Sequence, residues 1–295
     1  MRAHSLFGFV AIASLAACAA SSSRDGFDDA KPAPTEQPAP APGGDFGKDN
    51  TPPDQKPAEI AEVFGHSEKS LYRLDPKTKA VTLVGDFAGC GSVIDIALDE
   101  ASNFYATSYK ALYKVDKATA KCTEVATSAE DFPNSLSFVP KGTVDPNEEA
   151  LVGFVADEYI RIDVKTGART KLGTLGDAAL VSSGDVVSVK GGATYLTVKS
   201  DKKGNACEKV DCLVELDPKT GRITKRWGSI EHADVFGLSF WAGSVYGFDK
   251  TGELFEVTFG TNQLATKTIS MQKPTGLSFW GAGSTTSAPV VAQPL

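Results

Sequence analysis

Three acidic residues, two histidines and four cysteines are the side chains whose type and placement could carry chemistry in this chain. Asp95, Asp185 and Asp234 each precede a short apolar segment. A pair of carboxyl groups held on rigid strands could serve a hydrolase of glycosidase or lactonase type as acid and base, with or without calcium. Counted from the apolar residues Ile96, Val187 and Leu238, they stand at −1, −2 and −4, so the sequence gives them no common register. That spacing predicts side chains that fix loops around a funnel rim. Asp95, Asp185 and Asp234 therefore enter as possible axial ligand contacts, with His232 beside them, and no catalytic residue is expected.

Beyond His4 the chain holds His66 and His232 alone. Two histidines cannot furnish a His-rich transition-metal site, and no Gly-x-Ser-x-Gly elbow supports a serine nucleophile. His66 stands beside the turn-like Gly65-His-Ser-Glu-Lys69 and is expected to be exposed; His232 lies in Glu231-His-Ala-Asp234, a connection between repeats. Gly191-Gly192 and Gly281-Ala-Gly283 lack the context of a phosphate loop. No cofactor and no metal are expected.

Cysteine spacing says more. Cys207 and Cys212 flank Glu208-Lys-Val-Asp211 inside the longest connection, and in an exported chain they are expected to form a disulfide that stiffens it. For Cys90 and Cys122 parity favours a bond, whereas antiparallel strand order puts the two at opposite ends of one sheet, so their pairing stays open.

The elements that must position these residues announce themselves by repetition. Leu71-Tyr-Arg-Leu-Asp75, Leu112-Tyr-Lys-Val-Asp116, Tyr159-Ile-Arg-Ile-Asp163, Leu213-Val-Glu-Leu-Asp217 and Leu254-Phe-Glu-Val-Thr258 begin 41, 47, 54 and 41 residues apart. That period is one four-stranded blade of a β-propeller. After each phrase comes a turn of constant length, as in Asp163-Val-Lys-Thr-Gly167 and Asp217-Pro-Lys-Thr-Gly221. Asp first and Gly or Asn fifth fit a type I turn with a left-handed last residue, which explains these aspartates without calcium. Lys79 and Ala120 occupy the fifth position less comfortably. Shorter apolar segments precede each phrase, with small residues suited to the crowded axis.

The strand count gives an all-β, five-bladed propeller closed by pairing of its N- and C-terminal strands. Thr275-Gly-Leu-Ser-Phe-Trp280 nearly copies Gly237-Leu-Ser-Phe-Trp241, so it is expected to supply the missing inner strand of the first blade. Trp241 and Trp280 could serve as funnel aromatics, but their shared Ser-Phe-Trp setting favours packing within blades. The pattern Leu-x-x-Leu-Asp-Pro-Lys-Thr-Gly at 213–221 resembles the repeats of YVTN/quinoprotein-like and NHL-like bacterial propellers. That resemblance implies a fold and leaves activity unspecified.

The N-terminal region reads as an address. Arg2 and His4 precede the apolar run Leu6–Ala17, which is short for a transmembrane helix. Leu15-Ala16-Ala17-Cys18 resembles the lipobox of bacterial lipoproteins. The resemblance implies a signal peptide over 1–17, acyl chains such as palmitate on Cys18, and, with Ala19 following, transfer to the cell outer membrane. Residues 18–58 hold eight of the sixteen prolines and have the composition of a disordered tether. The propeller is expected over 59–283 and a flexible tail over 284–295. A formal charge of −7 and a pI near 5.1 argue against nucleic acid as partner. The resulting expectation is a non-enzymatic binding or scaffold lipoprotein of the bacterial envelope, its loop around Cys207 to Cys212 meeting a protein or glycan. The alternative is a propeller hydrolase with an axial carboxylate site.

Overall fold

The computed structural model describes residues 61–291. The signal segment, Cys18 and the tether lie outside the described residues, as do the last four positions of the expected tail.

Five four-stranded antiparallel sheets make up the domain. Blade one contains β1 (Val63–His66), β2 (Ser70–Leu74) and β3 (Val81–Asp86). Blade two runs β4 (Asp95–Leu98), β5 (Phe104–Thr107), β6 (Ala111–Asp116) and β7 (Lys121–Thr127). Blade three runs β8 (Leu136–Val139), β9 (Ala150–Val155), β10 (Glu158–Ile162) and β11 (Arg169–Thr174). Blade four holds β12 (Val181–Ser188), β13 (Thr194–Lys199), β14 (Cys212–Leu216) and β15 (Ile223–Ser229). Blade five holds β16 (Val235–Trp241), β17 (Ser244–Asp249), β18 (Leu254–Phe259) and β19 (Leu264–Ile269). The last strand, β20 (Gly281–Ser284), returns to blade one and pairs with β1, so both chain ends share one sheet. Closure removes the open seam that a stack of sheets would otherwise present.

The strand that closes the ring is not the expected one. Residues 275–280 form no strand, and β20 is Gly-Ala-Gly-Ser, placed by the register Val63↔Ser284 to His66↔Gly281. The Gly-Leu-Ser-Phe-Trp echo at 276–280 therefore misleads. At the axis five inner strands converge, and small residues satisfy that crowding better than a repeat of large ones. A methyl group added to Gly237 would strike Ala282, which shows how closely blades one and five approach. Beyond β20, Thr285, Thr286, Ser287 and Ala288 are buried, so the packed domain runs past the expected boundary at 283.

Four of the five hairpin turns obey the predicted chemistry; in the fifth, Asn262 is not left-handed and the Gly260 N–H donates to Gln263 O instead. Asp75, Asp163 and Asp217 accept backbone N–H groups two residues on, at 2.8, 2.8 and 3.0 Å. Lys79, Ala120, Gly167 and Gly221 follow at φ 60, 58, 70 and 71°, the left-handed region that costs a non-glycine residue free energy.

The apolar clusters lie between blades. Phe154 and Val152 of blade three pack with Val186 and Leu196 of blade four and with Leu175 in the connection between them, and Phe64 of blade one packs with Ile96 and Phe104 of blade two. This sandwiching is why inner strands such as β4 and β20 are buried along their whole length while the outer strands β3 and β19 are largely open to solvent. Both cysteine pairs are disulfides. Cys90 lies ahead of β4, in the connection from blade one, and that connection runs beside β7: Ala88 bridges Lys121 and accepts the N–H of Cys122.

Candidate functional site

The axis opens in a cup of about 270 Å³. One residue from each blade rings it at the point where the inner strand begins: Trp280, Ile94, Asn134, Gly184 and Phe236. Tyr109 from the β5–β6 turn and Lys250 from the β17–β18 turn reach the same cup. Tyr109 is 59% exposed and Trp280 37%, which makes them two of the few large apolar side chains left open to solvent. Trp280 thus lines the mouth, whereas Trp241, at the far end of its strand, is packed against the core of blades one and five. The expectation that both tryptophans are blade packing fails for Trp280.

One residue deeper, the ring reads Gly281, Asp95, Ser135, Asp185 and Gly237. Hydrogen bonding fixes this alignment. Asp95 Oδ1 accepts the N–H of Ile96 at 2.8 Å and Oδ2 that of Leu136 in the next blade at 2.6 Å. Asp185 repeats the arrangement with Val186 and, across the next blade boundary, Leu238, both at 2.6 Å. The two aspartates therefore do share a register, contrary to the sequence reading, because Ile96 corresponds to Val186 and not Val187. Behind them Thr107 and Thr197 occupy equivalent places on the second strands; Thr107 Oγ1 donates to Pro133 O at 3.0 Å and Thr197 Oγ1 accepts from the Asp185 N–H at 3.0 Å.

The carboxyl groups of Asp95 and Asp185 also meet each other, within hydrogen-bonding reach. Burial raises both well above the usual carboxylate range; at Asp95 the charge of Asp185 adds to it. Such a pair titrates as a unit, and burial favours its protonated form. Neither residue has any exposed surface. Both are staples that tie successive inner strands together beneath the cup floor.

His66 completes this layer and was missed. It is fully buried, not exposed, because its partner Gly281 has no side chain and leaves the ring space to reach the axis. A methyl group on Gly281 would collide with both His66 Nε2 and Asp95 Oδ1. Nδ1 contacts Ser67 O at 2.8 Å, and Nε2 has no partner. Burial holds the imidazole down to about 4. Pairing of a histidine with a glycine in a closing strand was invisible without the closure register.

His232 and Asp234 lie apart from the carboxyl pair, in the connection between β15 and β16. His232 stacks on Phe255 with ring centroids 3.8 Å apart, and its Nδ1 lies 3.2 Å from Asp249 Oδ2. Asp234 is exposed at φ 54° and offers its carbonyl to the N–H of Lys250. The Cys207–Cys212 disulfide closes the β13–β14 connection, which leaves the ring on the same face as the turns of Tyr109 and Lys250. Asp211 in that connection ties it to the axis side, donating its N–H to His232 O and accepting the N–H of Val235.

The fold and the axial arrangement define the class: a five-bladed propeller with an aromatic cup over a buried carboxyl pair. No described protein family matches the chain, and no curated protein is similar to it at a significant level. Among solved structures it is similar to a chain of hydrazine synthase from Kuenenia stuttgartiensis, with 13% identity over 71% of this chain and 63% of that one, TM-score 0.42. It is also similar to a chain of the nidogen/laminin complex, with 12% identity over 76% and 98%, TM-score 0.49. The chain thus spans less than two thirds of the hydrazine synthase chain. Among the described residues no helix is long and apolar enough to cross a membrane.

Proposed function

We propose that this protein is a non-enzymatic glycan-binding propeller, anchored through Cys18 to the bacterial envelope, that takes its ligand in the axial cup. The observation that carries the reading is the cup itself. Two open aromatic faces, Trp280 and Tyr109, stand with Phe236 and Ile94 around a cavity that also holds the Asn134 amide and the Lys250 ammonium. A mostly apolar wall with a few placed polar groups is the usual make-up of a small-molecule site. Flat aromatic faces match the apolar face of a sugar ring, the amide its hydroxyls, and the lysine an acidic substituent. The Pro-rich segment that precedes the domain would hold it away from the lipid, and the acidic charge balance disfavours nucleic acid.

One observation favours a hydrolase as second reading: Asp95 and Asp185 converge. Against it, all four carboxyl oxygens accept backbone N–H groups and lie beneath the floor of the cup. A glycosidase needs its carboxyls about 5–9.5 Å apart and open to the scissile bond. The test is titration of the full chain with neutral and carboxylated glycans, followed by tryptophan fluorescence. Saturable binding that weakens at least about tenfold in Trp280→Ala supports the reading. Binding unchanged in that variant contradicts it, and turnover that disappears in Asp95→Asn favours the hydrolase.

A further inference from the structure

His232, Asp249 and Glu253 form the one group among the described residues in which three metal-ligating side chains bring their donor atoms within 4.8 Å of one another. His232 Nδ1 lies 3.2 Å from Asp249 Oδ2 and 4.0 Å from Glu253 Oε2. A cation about 2.0–2.2 Å from each nitrogen and oxygen donor separates its ligands by about 3–4 Å. Both separations from the histidine fall in that range, and the two carboxylates lie within 4.8 Å of each other.

Two of the three ligands, His232 and Asp249, are set by contacts outside the trio, and the Glu253 N–H adds a bond to Asp249 Oδ1 at 3.0 Å. The imidazole lies flat on Phe255, at an interplanar angle of 6°. Asp249 Oδ1 is occupied by the N–H and hydroxyl of Thr251, at 2.9 and 2.7 Å, which leaves Oδ2 turned toward the histidine. The histidine and aspartate side chains are 14% and 4% exposed, whereas Glu253 is 48% exposed, so the group opens to solvent on one side only.

We propose that these three residues bind a divalent transition metal, zinc foremost, with water in the open position. One imidazole nitrogen and two carboxylates suit zinc, whereas calcium takes six to eight oxygens. The cysteines do not compete, since both pairs are oxidised. The metal would pin the connection carrying His232 to the turn after β17, whose next residue, Lys250, lines the axial cup.

The test is calorimetric titration of the full chain with zinc chloride, and with calcium chloride in parallel. One equivalent of zinc binds, and calcium at the same concentration does not displace it. Glu253→Gln weakens zinc at least about tenfold while the melting temperature of the metal-free protein stays the same, because that side chain is half exposed and supports no packing. His232→Gln gives the same loss by removing the nitrogen ligand. Absence of stoichiometric zinc binding, or affinity unchanged in both variants, overturns the site. Calcium bound through these residues in preference to zinc overturns the assignment of metal class.

Discussion

Asp95 and Asp185 stand two blades apart in the ring, yet their carboxyl groups meet at the axis while each clips its own blade to the next. The arrangement explains why both are aspartate. A side chain one carbon long can accept its own neighbour's N–H and the adjacent blade's N–H at once. Removing either one leaves buried N–H groups on two inner strands, at about 1–3 kcal/mol each. Asp185→Ala should therefore cost about 2–4 kcal/mol in denaturant unfolding, part of the loss being offset by relief of a buried charge.

The pair also predicts a pH effect. The folded-state values lie above those of the unfolded chain, so the stability tied to the protonated pair is complete below the ordinary carboxylate range. It is lost as pH rises through the raised range. Asp95→Asn breaks up the titrating pair, and its unfolding midpoint should vary less on the alkaline side than that of the wild type.

His66 has the opposite sign. Its ring is neutral when folded, held to about 4 against an ordinary 6.5, so its contribution is complete above 6.5 and is lost as pH falls toward 4. The full effect is about 3 kcal/mol. His66→Leu should lose correspondingly less stability than wild type between pH 7 and pH 4, measured by denaturant unfolding at each pH.

How much of this was legible in the sequence follows from what is local. The Leu-x-x-Leu-Asp phrase and its turn depend on neighbours four or five residues away, so blade number and hairpin geometry could be read directly. The inner ring depends on register across blades. In β12 the pairing shifts between Ser182 and Val186, which displaced the apparent alignment of Asp185 by one residue and hid its kinship with Asp95. The closing strand is Gly-Ala-Gly-Ser, without the apolar alternation that marks a strand, and the segment five residues earlier carries the stronger strand-like pattern. With that register lost, His66 and Trp280 lost their places too.

Ring closure by β20 makes a specific demand. Deleting residues from Gly281 onward exposes the edge of β1 and removes the buried Thr285 and Thr286. The truncated chain should aggregate or melt well below the full chain; an unchanged melting temperature would contradict closure by this strand.

Anchoring is tested separately from the fold. Cells fed labelled palmitate should tag the wild-type protein, and Cys18→Ser should abolish the label and change the protein's fractionation. Label that persists in Cys18→Ser would contradict the proposed lipid anchor.

The central claim is that ligand occupies the cup above the carboxyl pair and is not transformed by it. The most direct measurement is glycan titration of the wild type, Trp280→Ala and Asp95→Asn, with product analysis of the same mixtures. The account predicts binding by wild type and Asp95→Asn, at least about tenfold weaker binding by Trp280→Ala, and no product in any mixture. Product formed by wild type and absent with Asp95→Asn, or binding indifferent to Trp280, would contradict it.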